Sequence, residues 1–195
     1  MISTKDKILS AVISHIKDGD NLEQITISKI AAEAEIGKST VYEHFSSKED
    51  MVSETYIYLL KHYENILMSD IENMNFKTAF IEQLEKILFV MKDAKIIMDA
   101  IMNFDQGSFI HQGKQLEVCA SEIRDKMKER FSSIFKLGII EGVFEPRIPK
   151  PYTAQVIQAL ITGLLFQFVN GAIDIEVNEL NELIYAQVLE IVKKS

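Results

Sequence analysis

Apolar residues recur along almost the whole chain at the three- and four-residue spacing of an amphipathic helix. No segment alternates between apolar and polar residues over the length of a strand. The first apolar stripe, from Ile8 to Ile16, follows a Ser-Thr-Lys-Asp sequence that is typical of a helix N-terminus, and it stops before Gly19. The pattern predicts an all-α fold of about nine helices.

The predicted helices change in size along the chain. After the first helix come two short ones, at 27–34 and 38–44, and all later segments are larger and more apolar. A long helix runs from residue 48 to a break at 73–75, and it is followed by a helical stripe over 76–91 and a short separate helix at 96–102. A loop at 103–113 then leads to a long helix over 116–135. A linker with Gly142 and three prolines precedes the two last helices, at 153–170 and 178–194. The change near residue 48 predicts two domains, residues 1–48 and 49–195.

Composition narrows the class of protein. A hydrophobic content of 47% and a charged content of 26% are ordinary for a globular protein. The net charge of −8 argues against a protein that coats nucleic acid non-specifically. Cys119 is the single cysteine, so no internal disulfide can form, and no uncharged apolar run reaches the length of a membrane span. With no apolar signal core at the start, we expect a cytoplasmic protein without membrane contact.

Residues 24–50 are the most informative stretch. They predict two short helices joined by a tight turn, with Ile30 and Ala31 facing inward from the first helix and Val41 and Phe45 facing inward from the second. The second helix keeps a polar outward face that consists of Lys38, Ser39, Thr40, Tyr42, Glu43 and His44. A helix of this width fits the major groove of DNA, where hydroxyls and amides contact base edges. A plain helical hairpin with a solvated face is the alternative, but the detailed pattern favours a helix-turn-helix.

The same stretch resembles the TetR family of transcriptional repressors. The resemblance rests on TISKIA at 26–31, AEIGKSTVYEHF at 34–45 and SKEDM at 47–51. It covers about the first quarter of the chain, while the rest matches in length and helical layout. It implies a three-helix DNA-binding head followed by a larger helical domain for ligand binding and dimerisation.

The resemblance also implies roles for individual residues at a double-stranded operator. Ser39 and Thr40 correspond to positions that contact base edges. The residues that correspond to phosphate contacts are Thr26, Lys38, Tyr42, His44 and Lys48.

Three features depart from the family pattern. Glu35 stands where the family usually has glycine in the turn, which implies a reshaped or slightly strained backbone. Gly37 replaces the usual serine cap. Residues 1–48 carry six lysines against seven acidic residues, and Glu43 repels phosphate unless it accepts from a cytosine amine or pairs with a nearby lysine.

The larger region is rich in methionine and aromatic residues, which are typical of adaptable apolar cavities but also of ordinary cores. The resemblance implies a pocket for a small apolar or aromatic ligand that releases the repressor from DNA. The candidate lining residues are Tyr63, Met91, Met98, Met102, Phe104, Phe131 and Phe166. The wide apolar surface of the last two helices predicts a homodimer that forms through them.

The sequence bears on two other classes of function. An enzyme or metalloprotein is disfavoured, because the four histidines are scattered and no nucleophile or phosphate-loop motif is present, so we expect no catalytic residue, metal or cofactor. A helical ligand-binding or adaptor protein with a weak or vestigial DNA head stays open, because the head is nearly neutral.

Overall fold

The computed structural model describes residues 3–20, 25–72, 75–102, 113–146 and 151–194, with side chains over these ranges except 96–102, 113–117 and 194. Within them the secondary structure consists of helices: α1 (Thr4–Lys17), α2 (Ile27–Glu33), α3 (Lys38–His44), α4 (Lys48–Leu67), α5 (Phe76–Met102), α6 (Gly113–Ile140), α7 (Thr153–Val169) and α8 (Val177–Lys194). The all-α prediction is confirmed.

The number of helices differs from the expectation of about nine. The segments 76–91 and 96–102, predicted as separate helices, form the single helix α5. The four residues between them are Lys, Asp, Ala and Lys, with neither glycine nor proline. Nothing in their backbone ends a helix, so the turns continue through them. The predicted loop at 103–113 lies almost entirely outside the described residues.

Side-chain caps fix where the N-terminal helices begin. The hydroxyl of Ser3 accepts from the Asp6 amide at 3.1 Å, and that of Thr26 accepts from the Lys29 amide at 3.2 Å. These bonds satisfy amides that have no partner within their own helix. At the other end of α1, Gly19 adopts a φ of 85°, which glycine takes without steric strain.

The chain divides into two compact units. The first comprises Met1–Asn65 with Asp93–Arg124, and the second comprises Ile66–Lys92 with Asp125–Ser195. In the first unit α1, α2 and α3 pack against one another. Their shared core contains Ile8, Val12, Ile30 and Val41, none of which is more than 1% exposed. The predicted domain boundary at residue 48 coincides with the start of α4. The division into a DNA-binding domain and a ligand-binding domain stays a prediction.

The second unit has its own core, in which Phe76 and Phe80 of α5 are fully buried. Gly138 of α6 lies so close to this core that a Cβ atom there would be 2.5 Å from a ring carbon of Phe144. Helices α7 and α8 pack together in the same unit. Throughout the described ranges, no helix combines the length and the apolar character that a bilayer span requires.

Candidate nucleic-acid interface

The orientation of α3 is set by two buried side chains. Val41 is fully buried, and Phe45, which follows the last turn, is 3% exposed. The opposite side of the helix is open, with Lys38, Ser39, Glu43 and His44 exposed and Tyr42 54% exposed. Thr40 is half-buried and lies at the edge of this face. The predicted outward face is therefore present, with Thr40 less accessible than its neighbours.

The turn between α2 and α3 is tight and locally strained. Glu35 has a φ of 56°, in the left-handed region that glycine adopts without cost. The turn is closed by a hydrogen bond from the Ile36 amide to the Ala31 carbonyl at 2.9 Å. Gly37 then begins α3 with no side-chain cap. The strained backbone at Glu35 and the missing cap at Gly37 therefore correspond to two of the departures that the sequence indicated.

Polar contacts tie α1 to α2 behind the recognition helix. Asp20 accepts from the Lys29 ammonium and lies 3.0 Å from Nδ1 of His15. The hydrogen bond from Lys29, helped by the nearby His15, holds the pKa of Asp20 below its usual range. Lys29 is therefore directed towards Asp20. Thr26, an exposed member of the predicted interface, caps the same helix.

Lys5 braces the end of α3 against α4. Its ammonium lies 5.5 Å from the centre of the Phe45 ring and 3.2 Å from a carboxylate oxygen of Glu54. A cation over an aromatic face is attracted by the ring's electron density, so Lys5 of α1 contacts both the residue that follows α3 and a residue of α4.

The start of α4 is already supplied with hydrogen-bond acceptors. The Ser47 hydroxyl accepts from the Asp50 amide at 3.1 Å, and the Asp50 carboxylate accepts from the Ser46 amide at 2.8 Å. The pKa of Glu49 is lowered, first by a hydrogen bond with its own backbone and next by the Ser47 hydroxyl. Lys48, which the sequence suggested as a phosphate contact, is half-buried at this position.

The helix-turn-helix segment is similar to a known protein family. Residues 21–55 match the family model described as bacterial regulatory proteins, tetR family. The match spans the end of the α1–α2 connection, both helices of the helix-turn-helix and the start of α4. No curated protein sequence is significantly similar to the chain.

The fold is shared with solved regulators over almost the whole chain. PfmR from Thermus thermophilus superposes with a TM-score of 0.58 at 18% identity, covering 99% of this chain and 97% of its own. The fatty acid degradation regulator FadR from Bacillus halodurans superposes with a TM-score of 0.61 at 16% identity, covering 97% of this chain and 96% of its own. A TetR-family regulator from Marinobacter aquaeolei superposes with a TM-score of 0.58 at 21% identity, covering 98% of this chain and 90% of its own.

The chain is similar to the TetR family in its helix-turn-helix segment and in its fold. Residues 21–55 match that family's model, and the fold is shared with solved TetR-family regulators. Both similarities support a DNA-binding regulator of transcription.

The ligand residues expected in a TetR-type regulator are dispersed. Tyr63 is buried in the first unit, whereas Met91 and Phe131 are partly buried against the hydrophobic core of the second. Phe166 is 60% exposed on α7, which does not fit a residue that lines an enclosed cavity of its own protomer. Three residues cannot be placed: the side chains of Met98 and Met102 and the whole of Phe104 lie outside the described part of the chain.

A cleft that the sequence did not reveal lies in the second unit. It has a volume of about 430 Å³, within the range of small-molecule sites. Its walls combine apolar side chains, among them Met68, Ile71 and Leu137, with the charged Arg130 and Glu129. Arg130 donates to the Met68 carbonyl at 2.6 Å. Of the predicted ligand residues whose side chains are described, none lines this cleft.

Within the described residues, no group of three His, Cys, Asp or Glu side chains could hold a metal ion.

Proposed function

We propose that this regulator is a repressor that binds an operator as a homodimer and is released by a small apolar or aromatic ligand. The observation that carries the proposal is the polar, exposed face of α3, which Val41 and Phe45 hold away from the core. A helix presented in this way can enter the major groove.

The side chains on this face have chemistry suited to two kinds of contact. Ser39 and Thr40 carry hydroxyls that can reach base edges, although Thr40 needs a close approach because it is half-buried. Phosphate contacts are assigned to Thr26, Lys38, Tyr42, His44 and Lys48. Residues 1–48 carry a net charge of −1, so we expect modest non-specific affinity and specificity that rests on two heads binding together.

The dimer is proposed to form through α7 and α8. Part of the apolar surface that suggested this interface is used within the protomer, since Ile161, Leu165 and Ile184 are at most 5% exposed. The opposite side of the two helices is still partly apolar, with Val156 51%, Phe166 60% and Leu183 41% exposed. Ala159 and Gly163 lie on the same side of α7, where small residues allow close helix approach. Two-fold pairing there would set two recognition helices roughly 34–36 Å apart.

Release by a ligand needs a link between the head and the later helices. Asp93 of α5 offers one, because its carboxylate accepts from Lys17 of α1 at 2.6 Å and from the Tyr63 hydroxyl of α4 at 3.0 Å. A ligand that moved α4 or α5 would change this three-way contact. It would shift the equilibrium only to the extent that it binds the two states with different affinity.

A footprint on the DNA that flanks the protein's own gene, combined with a transcription reporter, tests the proposal. We expect one protected site with two-fold symmetry and lower reporter output when the protein is present. Tyr42→Ala should remove protection, while Phe89→Ala, which truncates a similarly exposed ring on α5, should not. Absence of any protected site would reject the proposal.

A helical adaptor with a vestigial head is the second candidate. The observation that favours it is the near-neutral charge of residues 1–48, which weakens attraction to phosphate. An adaptor would give neither a footprint nor repression, and the same experiment therefore separates the two. No catalytic function is proposed.

A further inference from the structure

Glu43 occupies the position on α3 that points most directly away from the protein. Successive residues of an α-helix are rotated by about 100°. Glu43 and Ser39 each lie two residues from Val41, so each is about 160° around the helix from this fully buried side chain. They are also four residues apart and share one face. Ser39 and Glu43 thus form the outermost line of the recognition helix.

The carboxylate of Glu43 makes no hydrogen bond or ion pair with the residues that the structure describes. Two other acidic residues of the first unit are engaged, Asp20 by Lys29 and Glu54 by Lys5. Over the part of the chain that the structure describes, no cation lies within ion-pair distance of Glu43. Glu43 therefore does not form an ion pair with a neighbouring lysine, and its charge at a DNA surface is not cancelled in this way.

An unpaired carboxylate at the centre of a DNA-facing surface restricts what it can approach. Phosphates repel it, and so do the acceptor atoms that guanine and thymine present in the major groove. The exocyclic amine of cytosine is a donor, and a carboxylate accepts from it directly. Adenine also carries an amine, but its ring nitrogen beside that amine is an acceptor.

We propose that Glu43 is a specificity-determining residue that accepts a hydrogen bond from a cytosine amine in the major groove of each operator half-site. The inference rests on the proposed DNA-binding function of α3. Glu43 also selects against other half-sites, because a carboxylate so placed is repelled where guanine or thymine presents an acceptor at that position. Ser39, on the same face, is expected to contact an adjacent base pair.

The test compares base preferences of the wild-type protein, Glu43→Gln and Glu33→Gln, using a duplex library with randomised half-sites. Glu33 is an exposed acid of α2, so its substitution removes the same charge from the same head away from α3. We expect wild type and Glu33→Gln to select cytosine at one position of each half-site. Glu43→Gln should lose that preference by on the order of tenfold while other positions keep theirs.

Three other results would overturn the inference. Tighter binding of Glu43→Gln to every sequence alike would place the carboxylate near phosphates. Unchanged preference and affinity would show that it is solvated. Failure of the wild-type protein to select any sequence would reject the proposed function itself, and the role of Glu43 with it.

Discussion

The ammonium of Lys17, at the end of α1, lies 2.6 Å from the carboxylate of Asp93 on α5. The second oxygen of that carboxylate accepts from the buried Tyr63 of α4. One side chain, 20% exposed, therefore joins three helices of the first unit. Hydrogen bonds to charged groups in such partly buried places stabilise more than surface ion pairs do.

Substitution of Asp93 by asparagine should be costly. We expect Asp93→Asn to lower the free energy of unfolding by about 1–2 kcal/mol, because the amide retains the shape but not the charge that both donors need. Urea denaturation measures the change. Asp125→Asn is the control, since its pair with Lys128 is exposed on both sides and should contribute at most about 0.5 kcal/mol. Equal losses in the two variants would show that Asp93 is no more than a surface charge.

Alkaline pH should destabilise the protein through its buried tyrosines. Burial raises the pKa of both Tyr56 and Tyr63, and the bond to Asp93 raises that of Tyr63 further. The folded state holds these phenols neutral, whereas the unfolded chain ionises them near pH 10. The contribution of these neutral tyrosines to the free energy of unfolding is therefore complete below about pH 10 and is lost as pH rises above that value.

The size of this loss can be measured by urea unfolding at pH 8 and pH 11. Tyr56 and Tyr63 should each lower the free energy of unfolding by up to about 1.4 kcal/mol between the two pH values. Tyr63→Phe should show a smaller drop between the two pH values than the wild-type protein. An identical drop in both proteins would mean that Tyr63 ionises freely when folded.

Relief of the strained turn should stabilise the head. Glu35→Gly removes the penalty of a left-handed φ at a residue with a Cβ atom, and we expect a gain of about 0.5–1 kcal/mol in the free energy of unfolding. Glu33→Gly, two residues earlier at the last position of α2, should instead lose up to about 1 kcal/mol. Thermal unfolding of the two variants distinguishes them. A loss at position 35 would show that the turn does not need glycine's freedom.

The local features of the fold could be predicted from the sequence. Ser3 caps α1 and Gly19 follows its end, because caps and turns depend on residues that are near in the chain. The continuity of α5 was missed, because a polar stretch in the apolar stripe resembled a break although no helix-breaking residue is present.

Features that depend on distant residues could not be predicted. Asp93 is separated from Lys17 by 76 residues and from Tyr63 by 30, so no local pattern indicates their contact. Phe166 was expected to line a ligand pocket, but helix periodicity alone does not tell which apolar face of α7 meets the protomer core and which faces outward.

The exposed apolar side of α7 should be required for dimerisation. Phe166→Asp places a charge where two copies are proposed to meet, and we expect a shift from dimer to monomer in sedimentation equilibrium. Ile140→Asp is the matched control, because this residue is 79% exposed at the end of α6, outside the proposed interface. Dissociation by both substitutions, or by neither, would argue against an interface on α7.

The most direct test of the central claim, that the outward face of α3 binds DNA with sequence preference, is a binding titration over a salt series. The wild-type protein is titrated onto a duplex from upstream of its own gene and onto a scrambled duplex of equal composition. We predict tighter binding to the upstream duplex and an affinity that falls linearly with salt on logarithmic axes. Lys38→Ala should reduce the slope by about one, while Lys7→Ala, an exposed lysine of α1, should not. Equal affinity for both duplexes, with no effect of Lys38→Ala, would contradict the account.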